Sequence, residues 1–155
     1  MQGMRAAILC GLRDAAVERR LEAACAHFGG ARIVTAHDTA SLLRGLGHPE
    51  LAVVVADLKF GETDIFEILR LVRARPDGGA IGVLLALPAM ETDPAATPTG
   101  SRRGRLGGIG SGQSIDYVAM ARTQGVAGII PPSLDTDDLL ALIAPYIRER
   151  YRQVR

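Results

Sequence analysis

The chain has 155 residues, of which 48% are hydrophobic and 23% are charged, and its formal net charge is +1. This length suits one domain with a buried core, and the near-neutral charge excludes a general electrostatic attraction to nucleic acids or membranes. No apolar run reaches the roughly 20 residues that span a bilayer. Cys10 and Cys25 lack metal-ligand spacing, so we expect buried free thiols in a cytoplasmic protein.

Strands and amphipathic helices alternate through the first half of the chain. Short apolar runs predict the strands, and apolar residues at helical spacing predict the helices. In chain order, these elements are strand Ala6–Cys10, helix Ala15–Phe28, strand Ala31–Ala36, helix Ala40–Leu46, strand Leu51–Ala56 and helix Ile65–Val72. Gly29, Gly47 and Pro76 follow the three helices and are typical of helix ends.

The strand Leu51–Ala56 is the most distinctive of these elements. It is an unbroken apolar run, rich in β-branched residues and without the alternation of a half-exposed strand. Such a run is typical of a strand covered on both faces of a parallel sheet. Asp57 follows directly, so we expect its carboxylate at the carboxyl edge of the sheet, where ligands gather in open α/β folds.

The second half of the chain contains a long interruption. Residues 88–114 are rich in Gly, Pro and Arg and almost lack apolar periodicity, which predicts a long flexible loop. Around it, the predicted elements are strand Ala80–Leu87, a helix from Ser114 or Asp116 to Gln124, strand Val126–Ile130 and helix Asp137–Arg152. Pro145 lies inside the last helix and should kink or split it.

Five predicted strands alternate with five helices, and no hairpin signal joins any two strands. Right-handed crossovers then predict an α/β fold whose parallel sheet is covered on both faces. We predict a single domain over residues 1–155 with a flavodoxin-like (βα)5 architecture, a doubly wound five-stranded parallel sheet in the order 2-1-3-4-5. The switch point between the first and third strands places Arg13 and Asp14 beside Asp57.

The segment Asp57–Leu69, DLKFGETDIFEIL, resembles the receiver (CheY-like) domain of two-component response regulators. In that family the third strand ends in a phosphoacceptor aspartate, followed by a short loop and an amphipathic helix. Asp57 occupies the phosphoacceptor position, and Gly125–Ile130 resembles the family's glycine-led fifth strand. The resemblance extends from about Arg5 to Tyr151 and implies the same fold.

The metal ligands of the family do not match this chain. Receiver domains bind Mg²⁺ through an acidic pair after strand one together with the phosphoacceptor, because Mg²⁺ prefers oxygen ligands and neutralises charge during phosphoryl transfer. Here Leu12 and Arg13 match that pair, with Asp14 one position later. We expect Arg13 to form a salt bridge with Asp57 in the place of the metal.

Two further positions of the phosphorylation site depart from the family. Receiver domains carry Thr or Ser at the end of strand four and Lys at the end of strand five, where both contact the phosphoryl group. This chain has Leu84–Pro88, without a hydroxyl, at the first position and Pro131–Pro132 at the second. The resemblance therefore implies a degenerate receiver, or pseudo-receiver, without a metal or cofactor; Mg²⁺ enters only if Asp57 is phosphorylated.

The run Gly107–Ser114 nearly fits the phosphate-binding GxxxxGK[ST] loop, but Gln113 replaces the lysine that contacts the phosphates. A flexible loop is the ordinary interpretation of such a run. The alternative is a loop that binds an anion or a partner, and its candidate residues are Arg102, Arg103, Arg105, Gly110 and Gly112.

The last helix carries more apolar surface than one stripe against the sheet requires. In receiver domains the fourth helix, fifth strand and fifth helix form the face used for dimer and output contacts. We therefore predict an interaction face that contains Ile129, Leu139, Ile143, Tyr146 and Tyr151.

The sequence favours a non-enzymatic receiver-like domain, with no catalytic residue, that acts in bacterial two-component signalling through protein contacts. The expected partners are a histidine kinase or an output protein and a second copy of the chain, and not nucleic acid or membrane. One alternative is a receiver phosphorylated on Asp57, with Asp14 as a partial Mg²⁺ ligand. The other is a nucleotide- or small-molecule-binding flavodoxin-like module that uses residues 107–114. The chain could also be a piece of a longer protein.

Overall fold

The structure is a computed structural model that describes residues 5–88 and 117–154. Its strands are β1 Ala6–Gly11, β2 Ala31–Thr35, β3 Leu51–Asp57, β4 Lys59–Phe60, β5 Thr63–Asp64, β6 Gly82–Ala86 and β7 Gly128–Ile130. Its helices are α1 Ala15–Cys25, α2 Thr39–Leu46, α3 Ile65–Arg73, α4 at residues 117–124 and α5 Thr136–Val154. None of the helices in these ranges is both long enough and apolar enough to cross a bilayer.

Five parallel strands form the central sheet, in the order β2-β1-β3-β6-β7. This order confirms the predicted flavodoxin-like fold. The central strand β3 is fully buried from Leu51 to Ala56, because helices cover the sheet on both faces. Neighbouring residues such as Ile8 and Leu9 in β1 therefore enter two different cores, one packed by α2, α3 and α4 and the other by α1 and α5.

Aspartates begin four of the helices. In each case the carboxylate accepts a main-chain N–H bond from the first turn, which satisfies a donor that has no partner inside the helix. These residues are Asp14 in α1, Asp38 in α2, Asp64 in α3 and Asp135 in α5. These four helices therefore begin directly after aspartates that can be recognised in the sequence as N-caps.

Two helices differ from the prediction. Helix α1 ends at Cys25 rather than Phe28, because the N–H groups of His27 and Phe28 bond to carbonyls three residues earlier and tighten the last turn. Helix α5 continues through Pro145, so the expectation of a split there is wrong. Proline removes one helical hydrogen bond, and the fully buried side chains of Ile143 and Ile147 hold both halves against the sheet.

A small antiparallel ribbon follows β3 and corrects the expectation that the chain lacks a hairpin. Its two strands, β4 and β5, are joined by a turn in which Gly61 has a φ of 61°, as glycine does at the first central position of type II′ turns. The N–H of Glu62 donates to Oγ1 of Thr39 at 2.7 Å, which holds the ribbon against the start of α2. A Cβ atom on Gly61 would lie 2.3 Å from the same oxygen, so a larger residue does not fit.

A charged network joins distant elements at the amino edge of the sheet. Asp77 accepts hydrogen bonds from Arg75 at 2.8 and 3.0 Å and from Arg150 of α5 at 2.7 Å. Arg75 also donates to the carbonyl of Leu46 at the end of α2, and Arg150 donates to the carbonyl of Leu51 at the start of β3. The hydrogen bonds from Arg75 and Arg150 hold the pKa of Asp77 well below its ordinary range.

We expect Asp77→Asn to lower the free energy of unfolding at pH 7 by about 2 kcal/mol, because it removes hydrogen bonds between charged groups. Since the folded-state pKa of Asp77 is lowered, its stabilisation is complete above the unfolded-state pKa of about 4 and is lost as the pH falls further. Urea unfolding at pH 7 and pH 3 measures the difference. Asp137→Asn, at an exposed position in α5, is the matched control. A deficit of the Asp77 variant that is equal at both pH values would contradict this role.

Candidate functional site

The end of β3 places Asp57 at the carboxyl edge of the sheet. The strand register pairs Asp57 with Ala86 in β6, and Ala56 with Gly11 in β1, so the loop after β1 lies beside the carboxylate. The main-chain N–H of Arg13 in that loop donates to Oδ2 of Asp57 at 2.9 Å. The topology thus brings together two residues that are 44 positions apart in the chain.

A cavity of about 380 Å³ opens beside Asp57. Its charged groups are the carboxylates of Asp14 and Asp57 and the cations of Arg13 and Lys59. Its apolar walls are Val17, Leu58, Ala86, Leu87 and Pro88. Apolar walls solvate a charge poorly, so the charged groups in this cavity are stabilised mainly by one another and by hydrogen bonds.

Burial raises the pKa of Asp57 above its ordinary value, because desolvation disfavours the charged carboxylate. The N–H and the guanidinium of Arg13 oppose this shift and lower the pKa, whereas the carboxylate of Asp14 adds to it. Asp14 is itself engaged at the start of α1, where it accepts the N–H of Ala16 at 2.8 Å. Asp57 is therefore a carboxylate whose negative charge is only partly compensated.

The predicted salt bridge between Arg13 and Asp57 is wrong. Both residues are described, and no ion pair joins their side chains; the contact comes from the main chain of Arg13, whose side chain is exposed. The loop after β1 aims an N–H group at Oδ2, and this dipole supplies the partner expected from the guanidinium. A main-chain donor does not depend on the side chain, so a pattern of side chains could not predict it.

The described residues do not fit the Mg²⁺ site that the resemblance implies. Mg²⁺ demands near-octahedral oxygen ligands, but Oδ2 of Asp57 is bonded to the N–H of Arg13 and Asp14 caps α1. Across residues 5–88 and 117–154, no cluster of three or more His, Cys, Asp and Glu side chains could hold a metal. The cavity offers two carboxylates beside two cationic side chains.

The residues that follow β6 and β7 contribute apolar side chains to the cavity and main-chain groups to hydrogen bonds. Leu87 and Pro88 line the cavity, and the N–H of Leu87 donates to the carbonyl of Ile130 at 2.9 Å, which fixes this segment to β7. After β7, the carbonyl of Pro132 accepts a hydrogen bond from Arg20 of α1 at 2.9 Å. Sequence reasoning missed Arg20, because no local pattern links it to a loop 112 residues later.

A second cavity, of about 410 Å³, shares Arg13 with the first. It lies at the ends of β1 and β2, and its other lining residues are Leu12, Thr35, Ala36, His37, Asp38, Phe60 and Gly61. The hydroxyl of Thr35 donates to Glu18, and the carboxylate of Asp38 accepts the N–H of Ser41, so these polar groups are partnered within the protein. No sequence pattern predicted this cavity, because Phe60 and Gly61 come from the unpredicted ribbon.

The predicted anion- or partner-binding loop lies outside the described residues. Its candidates Arg102, Arg103, Arg105, Gly110 and Gly112 all fall between residues 89 and 116. The extent of the loop, its role in binding and the nucleotide-binding alternative therefore stay predictions.

The predicted interaction face is wrong at two positions. Leu139 and Ile143 are 0% exposed and belong to the core between the sheet, α1 and α5, because the inward stripe of α5 needs them for packing. Tyr146 is half-buried, and its ring lies over Gly82 of β6, where an added Cβ would approach the ring to 2.7 Å. Tyr151 is half-buried as well and donates its hydroxyl to the carbonyl of Gly29 at 2.6 Å.

Exposed apolar surface is found on α4 instead. Tyr117 and Met120 are 44% and 45% exposed and lie three positions apart, on one side of the helix. Ile129 of β7 is half-buried and packs against the same core as α4. Of the predicted face, Ile129 is therefore the residue that shares a core with α4.

Solved structures of similar fold include receiver domains. A response regulator receiver domain protein from Clostridium thermocellum matches with a TM-score of 0.63 and 16% identity, over 96% of this chain and 98% of its own. The fold is that of a receiver domain. A CheY-like receiver domain protein from Methanospirillum hungatei matches with a TM-score of 0.63 and 14% identity, over 96% of this chain and 98% of its own.

A third similar structure was solved with a metal. The receiver domain of a sensor histidine kinase from Pseudomonas aeruginosa, which has a magnesium ion coordinated in its active-site cleft, matches with a TM-score of 0.59 and 13% identity. It covers 93% of this chain and 98% of its own. By sequence, the chain matches no family model and no curated protein.

We expect Asp57→Asn to stabilise the protein at pH 7, by less than about 1 kcal/mol because partial exposure to solvent screens the charge. The raised folded-state pKa means that the ionised carboxylate costs stability at neutral pH, and this cost disappears below the unfolded-state pKa of about 4. The amide oxygen of asparagine still accepts the N–H of Arg13. Thermal unfolding at pH 7 and pH 3.5 tests this; a variant less stable than the parent at pH 7 would show that attraction to Arg13 outweighs burial.

Proposed function

We propose that this chain is a receiver-like signalling domain that acts by protein–protein contact in bacterial two-component-type signal transduction. In this proposal it is not an enzyme, and Mg²⁺-dependent phosphorylation of an aspartate does not switch it. The observation that carries the proposal is the hydrogen bond from the Arg13 N–H to Asp57, in a cavity walled by Leu87 and Pro88 on the β6 side.

Electrostatics argue against a stable phosphoaspartate at this position. A phosphoryl group carries close to two negative charges at neutral pH, and the cavity already disfavours the single charge of Asp57. Asp14 adds repulsion, and Leu87 and Pro88 bring no hydroxyl donor. Because the adjacent acidic pair that would hold a metal is missing, little would neutralise the phosphoryl oxygens during transfer.

Phosphorylation of Asp57 is the competing function, and one observation favours it. The carboxylate lies at the end of β3 and lines an open cavity, so a small phosphoryl donor has a route to it. In that case Asp14, the other carboxylate of the cavity, is the partial metal ligand. The two functions differ in whether a phosphoryl group becomes attached to Asp57, which intact-mass spectrometry can detect.

We expect no gain of one phosphoryl group in intact mass after incubation with acetyl phosphate and Mg²⁺, since the cavity lacks a fitting metal site. Asp57→Asn, treated in parallel, identifies any phosphorylation at other residues. A gain that is present in the parent and absent from the variant would overturn the proposal and make the domain a phosphorylatable receiver.

The proposed contact surface lies on α4 and β7. Tyr117 and Met120 are exposed on α4, and Ile129 of β7 is half-buried against the core that α4 also contacts. Aromatic residues and methionine are enriched in the cores of protein interfaces. A second copy of the chain is the proposed occupant in the absence of an output protein. The same surface would serve a kinase or output partner when one is present.

We expect the parent to dimerise in a concentration-dependent way and Met120→Lys to raise the dissociation constant of the dimer at least tenfold, because a charge would be buried at the contact. Sedimentation velocity over a range of concentrations measures this constant. Leu43→Lys is the matched control, since Leu43 is 44% exposed on α2. A parent that stays monomeric, or an equal effect of both variants, would contradict a dimer through α4.

A further inference from the structure

The two oxygens of the Asp57 carboxylate have different surroundings. Oδ2 accepts the N–H of Arg13 at 2.9 Å, whereas Oδ1 has no hydrogen-bond partner among residues 5–88 and 117–154. Asp57 lines the cavity, so among the described residues Oδ1 is the carboxylate oxygen at this cavity that no protein donor occupies. An oxygen of this kind is a hydrogen-bond acceptor available to a ligand.

The walls around this acceptor are made of carbon. Val17 and Ala86 are buried, Leu58 and Leu87 are half-buried, and all four line the cavity with Pro88. The volume of about 380 Å³ far exceeds the ~30 Å³ that one water occupies in the liquid. A chain of several methylene groups fits this space and would replace water along apolar walls.

The charges that face Asp57 decide which end group fits the open oxygen. Asp14 contributes a second negative charge to the cavity, and the side chains of Arg13 and Lys59 are exposed. No ion pair joins either cation to Asp57 within the described ranges, although the Arg13 guanidinium is near enough to lower the pKa of Asp57. An anionic end group would meet two carboxylates, and a neutral alkyl group would leave Oδ1 without a donor, whereas an ammonium group supplies both a charge and three donors.

We propose that the cavity beside Asp57 binds a primary ammonium group on a short aliphatic chain, with the ammonium donating to Oδ1 and the chain lying between Val17, Leu58 and Leu87. The ligand is a small alkylamine or the side chain of a lysine, which share this chemistry. Such a site is separate from the proposed dimer surface, because none of the exposed residues of α4 lines the cavity.

The test is a titration of the isotopically labelled full chain with n-butylammonium chloride, followed by ¹H–¹⁵N NMR at constant ionic strength. Saturable shifts are expected at the amides of Arg13, Leu58 and Leu87, with a dissociation constant of the order of millimolar for so small a ligand. Asp57→Asn should weaken binding at least tenfold. Asp38→Asn, next to the second cavity, keeps its cap of α2 and should bind as the parent does.

Two ligand series make the result independent of any change in folding. Lengthening the ammonium from methyl to butyl should tighten binding about two- to fourfold per methylene, because each buries more apolar surface. Replacing n-butylammonium by n-butanol should weaken binding at least tenfold. N-acetyl-lysine-N-methylamide distinguishes the sources: binding as tight as that of butylammonium identifies a lysine side chain, and its exclusion identifies a free amine.

Three results would overturn the site. The first is equal binding of n-butylammonium to the parent and to Asp57→Asn, which would show that the carboxylate is not the partner. The second is equal binding of n-butanol, and the third is a set of shifts that does not include residues of the cavity. Each of these results comes from the same NMR titrations as the expected result. None of them depends on whether Asp57 accepts a phosphoryl group or whether α4 forms a dimer.

Discussion

The structure depends on the burial of β3 from both sides. All residues from Leu51 to Ala56 are fully buried, so helices must cover both faces of the strand, and other strands must pair with both of its edges. Parallel partners β1 and β6 satisfy the edges, and the two cores satisfy the faces. Asp57 is the first ionisable residue after this run, so the strand delivers a carboxylate to the carboxyl edge of the sheet.

The amino and carboxyl ends of the parallel strands differ in how their polar groups are paired. At the amino ends of the strands, Arg75 and Arg150 both donate to Asp77, and they also donate to carbonyls that end α2 and begin β3. At the carboxyl edge, Asp57 has one main-chain donor and an open cavity. The carboxyl ends of the strands, where the charge of Asp57 is incompletely compensated, are a common location for binding sites in folds of this kind.

The sequence predicts those parts of the fold that follow from periodicity and from short polar caps. The run Leu51–Ala56, the aspartates before the helices and the glycine-led strand before Pro131 were sufficient to place five strands in the observed order. Contacts made by the main chain or across long separations were not predictable in this way. The N–H of Arg13, the hydrogen bond from Arg20 to Pro132 and the two-residue strands of the ribbon have no signature in side-chain pattern. The predicted face wrongly includes the buried residues Leu139 and Ile143, because a helix with apolar residues on more than one stripe does not reveal which stripe faces inward.

The hydrogen bond to Asp57 does not depend on which side chain stands at position 13. The bond to Asp57 comes from a main-chain N–H, which every residue except proline provides. The departure from an acidic pair at Leu12 and Arg13 therefore removes metal ligands, but it is the path of the loop after β1 that occupies Oδ2. Substituting acids at these positions would supply carboxylates without freeing Oδ2 of Asp57, since the same N–H would remain within hydrogen-bond distance. The state of this site is set by the backbone as much as by its side chains, and freeing Oδ2 requires the loop after β1 to move.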